Sequence, residues 1–116
     1  MINYDAELVS ALSSVLPTHY ELALTSKTTT PCISYQETDN SDAETGCSLG
    51  YSRIAYAIKI WGHDIKQLKE YAAQIDSVLR PLGFKRAPGG GELHDRQSTL
   101  IQKILNYECR ALEYYN

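Results

Sequence analysis

Between residues 50 and 83 the hydrophobic period of the chain changes once, and that change limits the folds open to it. In Gly50-Tyr-Ser-Arg-Ile-Ala-Tyr-Ala-Ile-Lys-Ile-Trp-Gly62 the large apolar groups Ile54, Tyr56, Ile58 and Ile60 fall on every second residue. Arg53, Ala55, Ala57, Lys59 and Trp61 fall between them. That alternation predicts a long strand with one apolar face and one small or charged face. Ile65, Leu68, Ala72, Ile75, Leu79 and Leu82 then recur at helical spacing. Asp64 stands at the expected helix start with Gln67 three residues on, as in a capping box, and Pro81 and Gly83 close the segment. Burying five or six such side chains stabilises a fold by roughly 1.5–3 kcal/mol each. The strand–helix pair is therefore expected to form the core.

The remaining segments are weaker signals. Leu8, Val9, Leu12, Val15 and Leu16 predict a helix over residues 4–16, with Asn3 as cap, Asp5 and Glu7 at its positive end and Pro17 as its stop. Residues 1–26 hold no Lys or Arg, which disfavours a membrane-surface helix. Tyr20, Leu22 and Leu24 alternate with Glu21 and Ala23 and predict a short strand. Pro31 opens a second strand over residues 32–37, with Ile33 and Tyr35 on one face. Residues 37–49 read as an extended acidic hairpin tip carrying Glu37, Asp39, Asp42 and Glu44. No Lys or Arg lies between Thr28 and Ser52. Residues 84–87 suit a further strand, and Pro88-Gly-Gly-Gly91 a flexible break that lacks the Gly-Lys-Ser/Thr of a phosphate loop. Residues 99–112 fit a helix and a strand equally well. One domain is expected, an antiparallel or mixed sheet of four to five strands with two helices on one face, in the α+β class.

Chemistry-bearing motifs are few. Cys32, Cys47 and Cys109 lack metal-type spacing and read as reduced thiols. His63-Asp64 and His94-Asp95 are the only repeated suggestive pairs, and Asp64 has a role as a helix cap. No Gly-x-Ser-x-Gly elbow occurs, so neither an enzyme, a cofactor nor a metal is expected. A net charge of -3 argues against a basic nucleic-acid footprint. No apolar run is long enough for a membrane span, and Met1-Ile-Asn-Tyr-Asp5 lacks the features of a signal peptide, so a cytoplasmic site of synthesis is expected. Nine Tyr against one Phe and one Trp suit an interface, where these rings supply area and a polar handle.

The chain resembles the tail-terminator or tail-completion (head–tail joining) proteins of long-tailed bacteriophages. The resemblance is carried by Pro31-Cys-Ile-Ser-Tyr35, Gly50-Tyr-Ser-Arg-Ile-Ala-Tyr-Ala-Ile-Lys-Ile-Trp61 and Leu68-Lys-Glu-Tyr-Ala-Ala-Gln-Ile-Asp76. Gly83-Phe-Lys-Arg86, Asp95 with Thr99, and Ile104-Leu-Asn-Tyr-Glu108 extend it over nearly the whole chain. It implies a structural virion protein that assembles as a hexameric ring, capping the tail tube and offering the surface that joins tail to head. Implied partners are further copies of the chain, the tail-tube protein and head or neck connector proteins. Genome DNA would pass through the ring without specific binding, and a free monomer is compatible with the role. The implied location is the virion tail or neck after assembly in the host cytoplasm. The family carries no catalytic residues, and its last segment is a strand. Glu37, Asp39, Asp42, Glu44, Arg53, Lys59 and Trp61 become the candidate interface, with Arg53, Lys59 or Trp61 meeting a neighbour's acidic loop. On this reading Trp61→Ala weakens assembly more than folding. A neck or head-completion connector, another minor tail protein, and a small bacterial ligand-binding or regulatory α+β domain are the alternatives.

Overall fold

The structure is a computed structural model and describes residues 4–25, 27–42 and 51–112. The elements run α1 (Tyr4–Ser13), β1 (Thr18–Tyr20), β2 (Cys32–Asp42), β3 (Tyr51–Gly62), α2 (Ile65–Leu79), β4 (Lys85–Arg86), β5 (Gly91–His94) and β6 (Ile101–Leu112). Among the described residues they form an α+β fold with one mixed six-stranded sheet in the order β1-β2-β3-β6-β4, with β5 also paired to β6. The sheet is thus larger than the four to five strands expected. The addition is β5, too short to leave a period in the sequence, while the two-residue β4 falls within the strand expected over residues 84–87.

The long strand and the helix after it form where the change of period places them. Ile54, Tyr56, Ile58 and Ile60 are buried, and so are Leu68, Ala72, Ile75 and Leu79. Asp64 caps α2 by accepting from the Lys66 amide at 3.0 Å. A single turn of tighter helix follows at Arg80–Leu82, and Gly83 ends it at φ 94°, where a residue without Cβ fits best. Leu8 and Leu12 of α1 join the same cluster, so both helices cover one face of the sheet, the inner face. Helical hydrogen bonding persists past Ser13, since the Val15 and Leu16 amides donate to Leu12. The proposed cap Asn3 lies outside the described residues. No helix among the described residues is long and apolar enough to cross a membrane.

Three expectations need correction. The first strand is Thr18–Tyr20, and Glu21–Ala23 is a 3-10 turn, so the alternation from Tyr20 to Leu24 is not a strand. The physical reason is the pairing: β1 lies parallel to β2, and two parallel neighbours require the chain to cross a face before it returns. The described residues between Glu21 and Pro31 make that crossing over the outer face, where Glu21 meets Lys59. The second strand runs on from Cys32 to Asp42, absorbing the first half of the acidic tip. It stays paired with β3 as far as Asp42 opposite Ser52, with one bulge between Glu37 and Asp39. Glu44 lies outside the described residues. The Pro88–Gly91 stretch is a tight connection, not a loose break. A Cβ on Gly90, at φ 103°, would stand 2.6 Å from the Ile104 carbonyl oxygen. The ambiguous last segment is the strand β6, antiparallel to β3 along its whole length.

Candidate assembly surface

Residues opposite one another in register share a face and form a rung across the sheet. One central rung is Glu37, Tyr56, Tyr107 and Arg86. Both phenols are buried on the inner face, and each reaches a different helix. The Tyr56 hydroxyl donates to the Asp5 carboxylate of α1. The Tyr107 hydroxyl donates to Asp76 of α2 at 2.9 Å, and Arg80 Nε donates to the other oxygen of Asp76 at 2.5 Å. The Arg80 bond, assisted by that of Tyr107, holds the Asp76 carboxyl below the usual carboxylate range. Burial, with the adjacent carboxylates, pushes both phenols well above theirs.

The outer face divides into two halves. At one end residues 21–31 lie over it. Ser34 there is fully buried and accepts a 2.9 Å hydrogen bond from the Trp61 indole N–H. Lys59 Nζ lies 2.6 Å from a Glu21 oxygen. Between this segment and the hairpin loop after β5 runs a groove of about 510 Å³, lined in part by Thr28, Thr30, Cys32, Trp61, His63 and Ser98. At the other end Ala55, Ala57, Asn106 and Glu108 are all partly exposed. Arg53 there donates to Glu108 at 2.9 Å.

The candidate interface residues therefore separate. Arg53 lies at the open end, paired with Glu108, and keeps about half of its side chain exposed, 52%. Glu37 is exposed on β2, and Asp39 and Asp42 occupy later rungs of the same strand. Lys59 and Trp61 lie at the covered end, where their polar atoms are engaged by Glu21 and Ser34. The Trp61 bond ties β3 to the buried Ser34 of β2, so Trp61→Ala is expected to cost folding stability. Sequence reasoning missed Glu21, Ser34, Lys85 and Arg86. The first two acquire their roles from the crossing segment, and the last two from a two-residue strand.

The His-Asp pairs stay apart from any metal geometry. His63 Nδ1 lies 2.7 Å from the Thr99 hydroxyl. Asp95 accepts from the Gln97 amide and the Ser98 hydroxyl at 3.0 and 2.9 Å, which shapes the turn between β5 and β6. Those bonds hold its carboxyl below the usual range. His94, in β5, has its Nε2 3.7 Å from Glu92. Among the described residues no group of three or more His, Cys, Asp or Glu side chains could hold a metal ion. Cys32 and Cys109 are buried free thiols, and Cys47 lies outside the described residues. Burial raises both pKa values, that of Cys109 to about 11 with help from Glu108 and Glu7. No protein-family model matches the chain, and no characterised protein matches it in sequence.

Proposed function

We propose that this chain is a structural virion protein that caps a phage tail tube as a hexameric ring and provides the surface for joining tail to head. The observation that carries the reading is the open half of the outer sheet face. Ala55 and Ala57 there are small and partly exposed, while Arg53 and Glu108 flank them as an ion pair. Such a surface lets a neighbouring chain approach closely, and charges at its rim fix the register. The sheet backed by two helices is the architecture that the resemblance implies, and the sequence motifs behind it cover nearly the whole chain.

In this role Glu37, Asp39, Asp42 and Glu44 face the lumen or a ring partner. Negative walls keep passing DNA from binding through its phosphates. Reversal of all four to Lys should leave the monomer folded and impair tail joining or DNA passage; normal infectivity and ring assembly in that variant would count against the role. The wider reading is tested by deleting the gene. Abnormally long tails are expected. Tails of normal length beside unjoined heads would point instead to a neck or head-completion connector.

A second reading is favoured by the groove beside Trp61. Its apolar floor and hydroxyl-rich rim suit a small uncharged ligand, as in a ligand-binding domain. A screen of neutral small molecules followed by Trp61 fluorescence separates the two readings. Saturable quenching that Thr28→Val abolishes would support the ligand domain.

A further inference from the structure

We infer that copies of this chain associate head to tail through opposite margins of the sheet, the β2 margin of one against the β4 margin of the next. The inference deepens the ring reading and rests on it for the function of the assembly, while the contact itself is argued from register and charge.

Among the described residues no strand pairs with the outer margin of β2 beyond Tyr35, because β1 covers only Ile33, Ser34 and Tyr35. An unpaired strand margin is a row of free N–H and C=O groups, ready to accept another strand. This margin carries Glu37, Asp39 and Asp42 and no base. The opposite margin of the sheet is formed by β5 along Ile101–Ile104 and by β4 at Tyr107 and Glu108, and the two β4 residues Lys85 and Arg86 are both exposed. Neither Glu37 nor Lys85 has an ion partner among the described residues. Arg86 is held at its rung by stacking on the Tyr107 ring, 5.7 Å from the centroid.

The registers align these charges. Glu37 and Arg86 share one rung through Tyr56 and Tyr107. Asp39 and Lys85 share the next rung through Ala55 and Glu108. Acids on one margin and bases on the other thus stand at equal height along the strands. Strand direction fits as well. β2 and β6 both run antiparallel to β3, and β4 runs antiparallel to β6, so a neighbour's β2 meets β4 antiparallel. Glu37 would then face Arg86, and Asp39 would face Lys85, as opposite-charge cross-strand pairs. A head-to-tail contact generates a ring when it closes and a filament when each step climbs. Matched rungs move each copy sideways with no climb along the strands, as a ring requires.

The test joins Asp39→Cys and Lys85→Cys in one chain, in a Cys47→Ser background. On oxidation we expect a ladder of disulfide-linked species that ends at one closed size. A dimer formed by the Asp39→Cys chain alone would overturn the head-to-tail geometry, and so would the lack of any ladder from the double variant. A ladder without a closed end would overturn ring closure. Charge reversal gives a second reading by sedimentation. Glu37→Lys with Asp39→Lys should weaken self-association roughly tenfold or more, as should Lys85→Glu with Arg86→Glu. Mixing the two variants should restore assembly, because each supplies the charge that the other needs. Lys85→Gln alone, which breaks no ion pair among the described residues and sets no like charge opposite Glu108, guards against a folding defect and should weaken association in the same direction. Failure to restore on mixing sinks the pairing. Deletion tails of normal length would instead sink the tail-capping role and leave the contact standing.

Discussion

The two ends of the sheet are built from the same three long strands, yet they carry different burdens. At the covered end, helices pack on one face and residues 21–31 on the other, so Ile33, Ile60, Cys32 and Ser34 are all buried. At the open end the inner face still meets α1 through Tyr56, but the outer face stays partly exposed, with the Pro88 carbonyl accepting from Asn106 at 3.2 Å, and among the described residues no strand pairs with the β2 margin beyond Tyr35. A strand buried on both faces specifies the fold. A strand buried on one face or none holds a surface in place for something else. The difference arises from a single connection, the crossing between β1 and β2, and not from any change in strand composition.

Substitutions can break or sharpen this contrast. The largest effect is expected at the covered end, where Ile60→Ala should cost about 2–5 kcal/mol by opening a cavity; a denaturation midpoint within error of wild type would refute the assignment of that end as the core. Gly90→Ala should cost about 1–3 kcal/mol, because a positive φ and the Ile104 carbonyl both oppose a Cβ. Hydrogen exchange in that variant should quicken in β5 before any other strand. Next comes Trp61→Phe, which leaves the buried Ser34 hydroxyl without its donor at about 1–3 kcal/mol. Adding Ser34→Ala should recover part of that loss, and no recovery would mean that the bond between β3 and β2 does not carry it.

A smaller effect is expected at the middle rung. Tyr107→Phe should cost about 0.5–1.5 kcal/mol through the lost bond to Asp76. The pH dependence has a definite sign. The folded state lowers the Asp76 pKa, so its stabilisation is complete above the usual carboxylate range and is lost as the pH falls through the lowered value. The stability gap between wild type and Asp76→Asn should therefore narrow with acid, and a constant gap from neutral to strongly acidic pH would contradict the pairing. The smallest effect on folding belongs to the open end. Glu37→Lys should change stability by no more than about 0.5 kcal/mol, and a larger loss would show that this margin helps to hold the monomer together.

The sequence made the centre of the fold legible and its margins obscure. Ile54 to Ile60 and Leu68 to Leu79 announce their periods because each buries one complete face or stripe. Residues 101–112 stayed ambiguous, since Lys103 interrupts the apolar face and meets Glu92 of β5 at 3.6 Å, a contact supplied by a strand without a period of its own. Residues 21–24 misled because a short alternation looks the same in a strand and in a chain turning across a sheet. The acids of β2 were legible as a charged stretch, but not as one margin of a sheet. That property depends on β1 ending at Tyr20 and on the β4 bases sitting on the same rungs, and neither follows from local sequence.

Tyr56 and Tyr107 stand side by side, yet each phenol ties down a separate helix, one through Asp5 and the other through Asp76. Mechanically these are twin moorings on one deck. Force travelling along the strands would reach both helices at the same point, and losing one tether would leave the other fastened.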